Sequence, residues 1–372
     1  MIRCFNCKTR WRASAAILIL ALSACSGARS VTPAQYRTLT SSDGVTTGAL
    51  ASAIEPVFDG EAVGETQALI VMRDGSIVAE RYGDGITSDT KLLSRSLGKT
   101  VTAALVGIMV SDGRLALDSP VPVSAWNQPG DPRGSITLRN LLQMTSGLAH
   151  EEEGDPIEQS DTVRMLFTSG AQDMAAFAEA KPLAYPSGDH FRYSTADTMI
   201  LCDLLTRMLT DSERPLARRD AMMEFVRGRL MNPVGLTSLT PEFDARGTMI
   251  GGAMIHMTAQ DYARFGELLR NRGRTHGHQV LSARWVAFMT SPSPRNPAYG
   301  AHVWLNREGS GNPLFPDRAS RRLFGAVGRH GQYIVVDPAR RLVVVRMGIS
   351  NNEEALPLRS ALARLVEVFP VN

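Results

Sequence analysis

Two serines in the segment SDTKLLSRSLGKT stand three residues ahead of a lysine: Ser88 before Lys91, and Ser96 before Lys99. A serine hydroxyl beside an uncharged amine is a nucleophile with its own base, suited to attack on an ester or amide carbonyl. The spacing arises about once by chance in a chain of this composition, so the surroundings decide between the pairs. Ser88 lies in GDGITSDTK, a polar, glycine-rich stretch that reads as a loop and enforces no geometry. Ser96 directly precedes an apolar run to Val110 that reads as a buried helix, closed by Asp112-Gly113. On a helix, residues three apart share a face, about 5–6 Å apart at Cβ. The helix N-terminus adds free N–H groups and positive potential where negative charge would develop. Burial lowers an amine pKa, which would let Lys99 accept the serine proton. A capping serine followed by an exposed helix lysine fits the same letters, and these residues alone leave both readings open.

The elements that must position such a pair come from both ends of the chain. Residues 67–83, QALIVMRDGSIVAERYG, hold two β-prone runs around Asp74-Gly75, a hairpin signal because both turn residues tolerate positive φ. QYIVVDP and LVVVRMGI flank Pro338-Ala339-Arg340 and read as a second hairpin, apolar enough to be buried on both faces. The closing EEALPLRSALARLVEVF is an amphipathic helix able to cover them. Helical patterns lie between, over about 135–148, 160–180, 195–210, 218–231 and 257–273, the last with Thr258 as N-cap. The expected class is α+β: one antiparallel sheet built from the two ends and flanked by helices, with a mostly helical lobe inserted. The sheet lobe spans about 56–94 and 241–372, the helical lobe about 95–240. Residues 25–55 are rich in Ser, Thr, Ala and Gly without periodicity and are expected to be a tether.

Several segments share one resemblance. SLGKT resembles the Ser-x-x-Lys element of serine β-lactamases and penicillin-binding proteins. GRLALDSPV, ITLRNLLQMTSGL, YPSGDHFRYSTAD, GGAMIHMTAQDYARFG and GRHGQYIVVDP resemble, in the same order, segments of the class C-like branch, together covering about 65–365. The resemblance implies a β-lactamase-like fold and an acyl-enzyme on Ser96, with Lys99 as base. Tyr193, in Tyr193-Ser194-Thr195, matches the Tyr of Tyr-x-Asn; it would share the proton with Lys99 and protonate the leaving group. Aligned through its glycine, Arg329-His330-Gly331 stands for the Lys/His-Thr-Gly element. Gly331 would then let substrate approach the strand edge, and the N–H groups of Ser96 and Gln332 would form the oxyanion hole. One such donor stabilises a transition state by about 3–4 kcal/mol. Arg329 or His330 would meet a substrate carboxylate. Two departures matter: Thr195 replaces the Asn, and Arg/His replaces the Lys. Both lean away from lactams and toward the esterases and linear-amide hydrolases of the superfamily, such as those acting on aminohexanoate oligomers. The alternatives are β-lactamase or D-Ala-D-Ala carboxypeptidase-type activity, or a non-catalytic envelope lipoprotein that binds peptidoglycan.

The chain has 372 residues, 44% of them apolar, enough for a large core. Of 40 basic residues, Arg3, Lys8, Arg10 and Arg12 lie in the first twelve positions; the remaining 36 stand against 37 acids. A near-neutral body without a basic run argues against nucleic acid as a partner. The basic start, the apolar run over 13–24 and the Leu22-Ser23-Ala24-Cys25 end read as an export signal over residues 1–24. Small residues before Cys25 resemble a lipobox, which implies lipidation of Cys25 and, with Ser26 next, an outer-membrane anchor facing the periplasm. The Cys4-x-x-Cys7 pair falls in the removed segment, and Cys202 on an apolar helical pattern reads as a core residue. No cofactor is expected. His150 with Glu151, Glu152 and Glu153 reads as an acidic loop or cleft rim rather than a metal site.

Overall fold

The computed structural model describes residues 36–371. The signal segment, the Cys4/Cys7 pair and Cys25 lie outside the described residues. Seven strands form one antiparallel sheet: β1 (Tyr36–Leu39), β2 (Glu65–Arg73), β3 (Ser76–Tyr82), β4 (Trp304–Leu305), β5 (Phe324–Gly328), β6 (Gln332–Asp337) and β7 (Leu342–Ile349). Their spatial order is β1-β3-β2-β7-β6-β5-β4, so the N-terminal and C-terminal hairpins meet where β2 pairs with β7. Both hairpins form where the turn chemistry asks for them. Asp74 and Gly75 close β2 to β3 with φ of 49° and 76°, the two positive angles a tight hairpin turn requires.

Alternation along the central strands feeds two cores. Ile70 and Met72 of β2, with Val343 and Val345 of β7, join the core shared with helices α2 (Leu97–Ser111), α3 (Thr195–Leu209) and α4 (Ala259–Arg270). Leu69, Val71 and Val344 point the other way, onto α1 (Thr47–Ile54) and α5 (Ala355–Glu367). The sheet is therefore covered on both faces, which is why its strands read as unbroken apolar runs rather than alternating ones. Each fully buried aliphatic side chain contributes about 1.5–3 kcal/mol, so these two layers dominate the stability.

Two expectations require correction. The tether expected over 25–55 is structured from Tyr36: β1 pairs with β3, and Val45, Leu50 and Ile54 are buried on the outer face of the sheet. Small residues between those apolar anchors hid the pattern. The helix expected over 135–148 contracts to Leu138–Leu142, begun by a capping box of Thr137 and Asn140. It stops because Met144 and Gly147 both turn left-handed, with φ of 57° and 82°. Among the described residues no helix is long and apolar enough to cross a membrane.

Candidate active site

Helix α2 starts at a kink. Arg95 takes a left-handed φ of 49°, turning the chain sharply from the short strand Leu92–Leu93 into the helix. For a residue with a Cβ that conformation costs about 1–2 kcal/mol. Ser94 secures it: the Ser94 N–H donates to Ile255 O at 2.7 Å, and Ser94 Oγ accepts from the Ile255 N–H at 3.1 Å. Ser96 then takes the N-cap position of α2 without a side-chain capping bond, and Lys99 follows one turn later with 1% of its surface exposed. Lys99 Nζ lies 3.1 Å from Ser96 Oγ, 2.8 Å from Thr195 Oγ1 and 3.0 Å from Gly252 O. Gly252 leaves room beside that contact: a Cβ there would sit 3.0 Å from Thr195 Cγ2 and crowd it. Burial lowers the Lys99 pKa to about 8, although Glu152 pulls it upward. The other Ser-x-x-Lys pair is not joined: Ser88 sits in a turn, and the exposed Lys91 donates to Thr240 Oγ1 at 2.8 Å.

A distant segment closes the group. Tyr193 precedes α3, lies close enough to Ser96 for that hydroxyl to draw its pKa down, and has Lys99 Nζ 5.0 Å from its ring centre. Its ring stacks on Trp304 and meets Tyr299 edge-on, at 5.8 and 5.9 Å between centroids. The MTSGL turn holds this segment. Met144 O accepts from the Arg192 N–H at 2.9 Å, and Ser146 Oγ donates to Asp197 Oδ1 at 2.8 Å inside α3. Desolvation, and after it Glu152, push the Tyr193 pKa far up, so the phenol is neutral. Behind it His302 ties three elements together. Its Nδ1 donates to Leu142 O at 2.9 Å, its Nε2 accepts from Thr198 Oγ1 at 3.0 Å, and its carbonyl accepts from Thr100 Oγ1 at 2.6 Å. Burial lowers its pKa to about 3, which keeps this brace neutral.

The third expected element is displaced. Gly331 faces Arg346, Leu358 and Ser350, not Ser96. Gln332 pairs with Gly328 at the closed end of the β5–β6 hairpin, so its N–H turns into the ladder toward β5. Its side chain is spent on the carbonyls of Arg329, His330 and Gly348. Gly328 is the glycine that abuts Ser96: a Cβ there would lie 2.7 Å from Ser94 O and 3.1 Å from Ser96 N. By the alternation of the ladder, with Gly328 paired to Gln332 and Leu323 O turned to Asn306 N, the next N–H, that of Arg329, points away from β6. Arg329 and His330 both line the cleft; Arg329 Nη1 pairs with the exposed Glu153 at 3.1 Å, and His330 Nδ1 lies 3.3 Å from Ser350 O. A surface pair of that kind contributes at most about 1 kcal/mol, which leaves Arg329 free to exchange partners. The cleft itself holds about 410 Å³, with Leu166, Phe167, Met254, Trp304 and Pro313 as its apolar wall.

The beta-lactamase family model matches residues 63–367, which spans six of the seven sheet strands, α2, α3 and the cleft between them. The chain belongs to the beta-lactamase family. It is similar to the 6-aminohexanoate-dimer hydrolase of Paenarthrobacter ureafaciens, 24% identical over 76% of this chain and 72% of that protein. It is similar also to esterase EstB of Burkholderia gladioli, 31% identical over 40% of this chain and 43% of the esterase. A solved family VIII carboxylesterase shares the fold with a TM-score of 0.62 at 15% identity, covering 89% of this chain and 100% of that one. This beta-lactamase-family member is a serine hydrolase, as its amide- and ester-cleaving relatives are.

Sequence reasoning missed Glu152. With its neighbours it reads as an acidic rim, yet its carboxylate turns inward to accept from Thr195 N–H at 2.7 Å and Thr195 Oγ1 at 2.6 Å. Thr162 Oγ1 donates at 2.9 Å, and His150 Nε2 lies at 3.2 Å. Burial would raise the Glu152 pKa, but the His150 hydrogen bond and the Lys99 charge outweigh it and hold it at about 2. The available signal was Thr195 itself, a side chain too short to fill an asparagine's place. Gly328 was legible only as one of two glycines three residues apart. Cys202 is a buried core thiol, 3.8 Å from Thr102 Oγ1, with its pKa raised to about 12 by burial.

The hairpin register gives a test. Gly328→Ala must push the Ser96 segment aside and is expected to lower ester turnover about 100-fold. Gly331→Ala, at a φ of 76° against Arg346, is expected to cost about 1–3 kcal/mol in urea unfolding with a much smaller loss of turnover. The opposite ranking would put Gly331, rather than Gly328, against Ser96.

Proposed function

We propose that this protein is an exported hydrolase that cleaves esters or short linear amides through an acyl-enzyme on Ser96. One observation carries the reading: Lys99 is buried with its nitrogen 3.1 Å from Ser96 Oγ and 5.0 Å from the centre of the Tyr193 ring. In the acylation step the Lys99 lone pair takes the Ser96 proton as Oγ bonds to the substrate carbonyl carbon. The carbonyl π electrons move to oxygen, where the N–H groups of Ser96 and Arg329 receive the charge. Collapse of this adduct breaks the bond to the leaving group. The neutral Tyr193 phenol protonates the departing oxygen or nitrogen and recovers a proton from the Lys99 ammonium. Water attacks the acyl-enzyme by the same route in reverse and regenerates Ser96. Thr195 in the asparagine position and an apolar cleft wall support an apolar acyl group on an ester or linear amide over a lactam. The likeness to a 6-aminohexanoate-dimer hydrolase and to an esterase supports the same substrate classes.

A fluorophosphonate probe and p-nitrophenyl esters test the assignment. Labelling and turnover are expected in the parent and in Ser88→Ala, and absent in Ser96→Ala; labelling that survives Ser96→Ala moves the nucleophile elsewhere. Fast nitrocefin turnover would favour the lactamase alternative. Because Lys99 must be uncharged and its pKa lies at about 8, kcat/KM should climb as pH rises through that value. A profile flat from pH 6 to 9 contradicts Lys99 as the base. For the anchor, radiolabelled palmitate should enter the full-length protein in cells and be lost in Cys25→Ser. Equal incorporation in both rejects lipidation at Cys25.

A further inference from the structure

We propose that Glu152 is a positioning residue that fixes the direction of the Thr195 hydroxyl and thereby reserves the Lys99 lone pair for Ser96. The inference rests on the reading of Ser96 as nucleophile and Lys99 as base, and follows from a donor and acceptor inventory. A carboxylate only accepts hydrogen bonds. Glu152 Oε1 takes the Thr195 hydroxyl proton at 2.6 Å, while Oε2 takes the Thr195 N–H and the Thr162 hydroxyl. With its single proton committed to Glu152, Thr195 Oγ1 can face Lys99 only as an acceptor, at 2.8 Å. Gly252 O, at 3.0 Å, is an acceptor by nature.

Two of the Lys99 hydrogens are therefore fixed. The charged amine has a third, directed at Ser96 Oγ, and that is the proton it loses when neutral. The vacated lone pair points at the Ser96 hydroxyl, as general-base attack requires. If Glu152 were replaced by an amide, its NH2 could donate to Thr195 Oγ1. The Thr195 proton would then turn toward Lys99 and occupy the lone pair. The arrangement would look alike in its heavy atoms yet leave Ser96 without a base.

Among the described residues, the titratable groups facing Lys99 are Tyr193 ahead of α3, Cys202 within α3, Glu152 from the 151–160 loop and the neutral His302, while His150 stands behind Glu152, its Nε2 3.2 Å from Oε2. Of the groups facing Lys99 directly, only Glu152 carries charge. A purely electrostatic role therefore makes a different forecast. Removing that charge lowers the Lys99 pKa further, which shifts the acid limb to lower pH and leaves the plateau intact.

The experiment is a double-mutant cycle on the full chain with p-nitrophenyl ester, following the kcat plateau across pH. Glu152→Gln is expected to lower the plateau about 100-fold, the scale of a lost general base, with its acid limb displaced to lower pH. Thr195→Val also lowers it, and adding Glu152→Gln to Thr195→Val should cost less than about threefold, because the hydroxyl that relays the effect is gone. A Glu152→Gln plateau within about threefold of the parent overturns the proposal. So does an equal loss in both backgrounds, which marks a merely structural role. Near-UV circular dichroism and thermal midpoints check folding. Should the Gln variant not fold, Glu152→Ala takes its place under the same non-additivity criterion, with formate added to supply an acceptor-only carboxylate. Equal loss in the two backgrounds, unrelieved by formate, is then the overturning result. Failure of the underlying reading is separate: it appears as Ser96→Ala retaining activity, whatever Glu152 variants do.

Discussion

The arrangement of the cleft depends on one buried amine. Lys99 is enclosed by protein yet meets three oxygens, from Ser96, Thr195 and the Gly252 backbone. Desolvation disfavours its charge and the carboxylate of Glu152 favours it, and the balance leaves the pKa at about 8. An ammonium in an apolar pocket without those partners would be several kcal/mol less stable. The three contacts therefore do structural and chemical duty together. They come from three places in the chain, which is why α2, α3 and the strand Ile255–Met257 must be fixed relative to one another before the site exists.

Much of the polar interior is devoted to that fixing. His302, kept neutral by burial, bridges the end of Leu138–Leu142 to α3 while its backbone holds Thr100 of α2. Arg346 lies in the sheet with no carboxylate in contact among the described residues. It donates instead to Thr66 Oγ1 and to the carbonyls of Val63, Glu65, His330 and Gly331. Burial lowers its pKa to about 10, still well above neutrality. It thus clamps the turn of the β5–β6 hairpin beside the cleft, with neutral acceptors satisfying a buried cation. Such networks hold geometry because every member loses a partner if one element slides.

The inner end of the cleft is built as a unit. Glu152, from the loop that leads into Asp161–Phe167, accepts from both the N–H and the hydroxyl of Thr195. Thr195 thus meets Lys99 as a hydroxyl backed by a carboxylate. At the rim, Arg329 and Glu153 form a solvent-exposed pair whose charges remain exchangeable. The polar end of the cleft is consequently rigid inside and adaptable outside, against an apolar wall led by Phe167 and Trp304.

The sequence by itself determined the elements whose signals are local. Turn residues at Asp74-Gly75 and Pro338-Ala339-Arg340 wrote both hairpins, and the apolar run after Ser96 wrote α2. With the ordered motifs from residue 65 onward, these also gave the α+β class and the family. Composition concealed the start of the domain, because Val45, Leu50 and Ile54 are sparse anchors among small residues. Tertiary structure alone decided which glycine of the β5–β6 hairpin meets Ser96, since strand register depends on pairing partners that spacing does not encode. It alone turned Glu152 inward, because a carboxylate in an acidic loop becomes interior only when a helix start and a buried amine arrive from elsewhere to receive it.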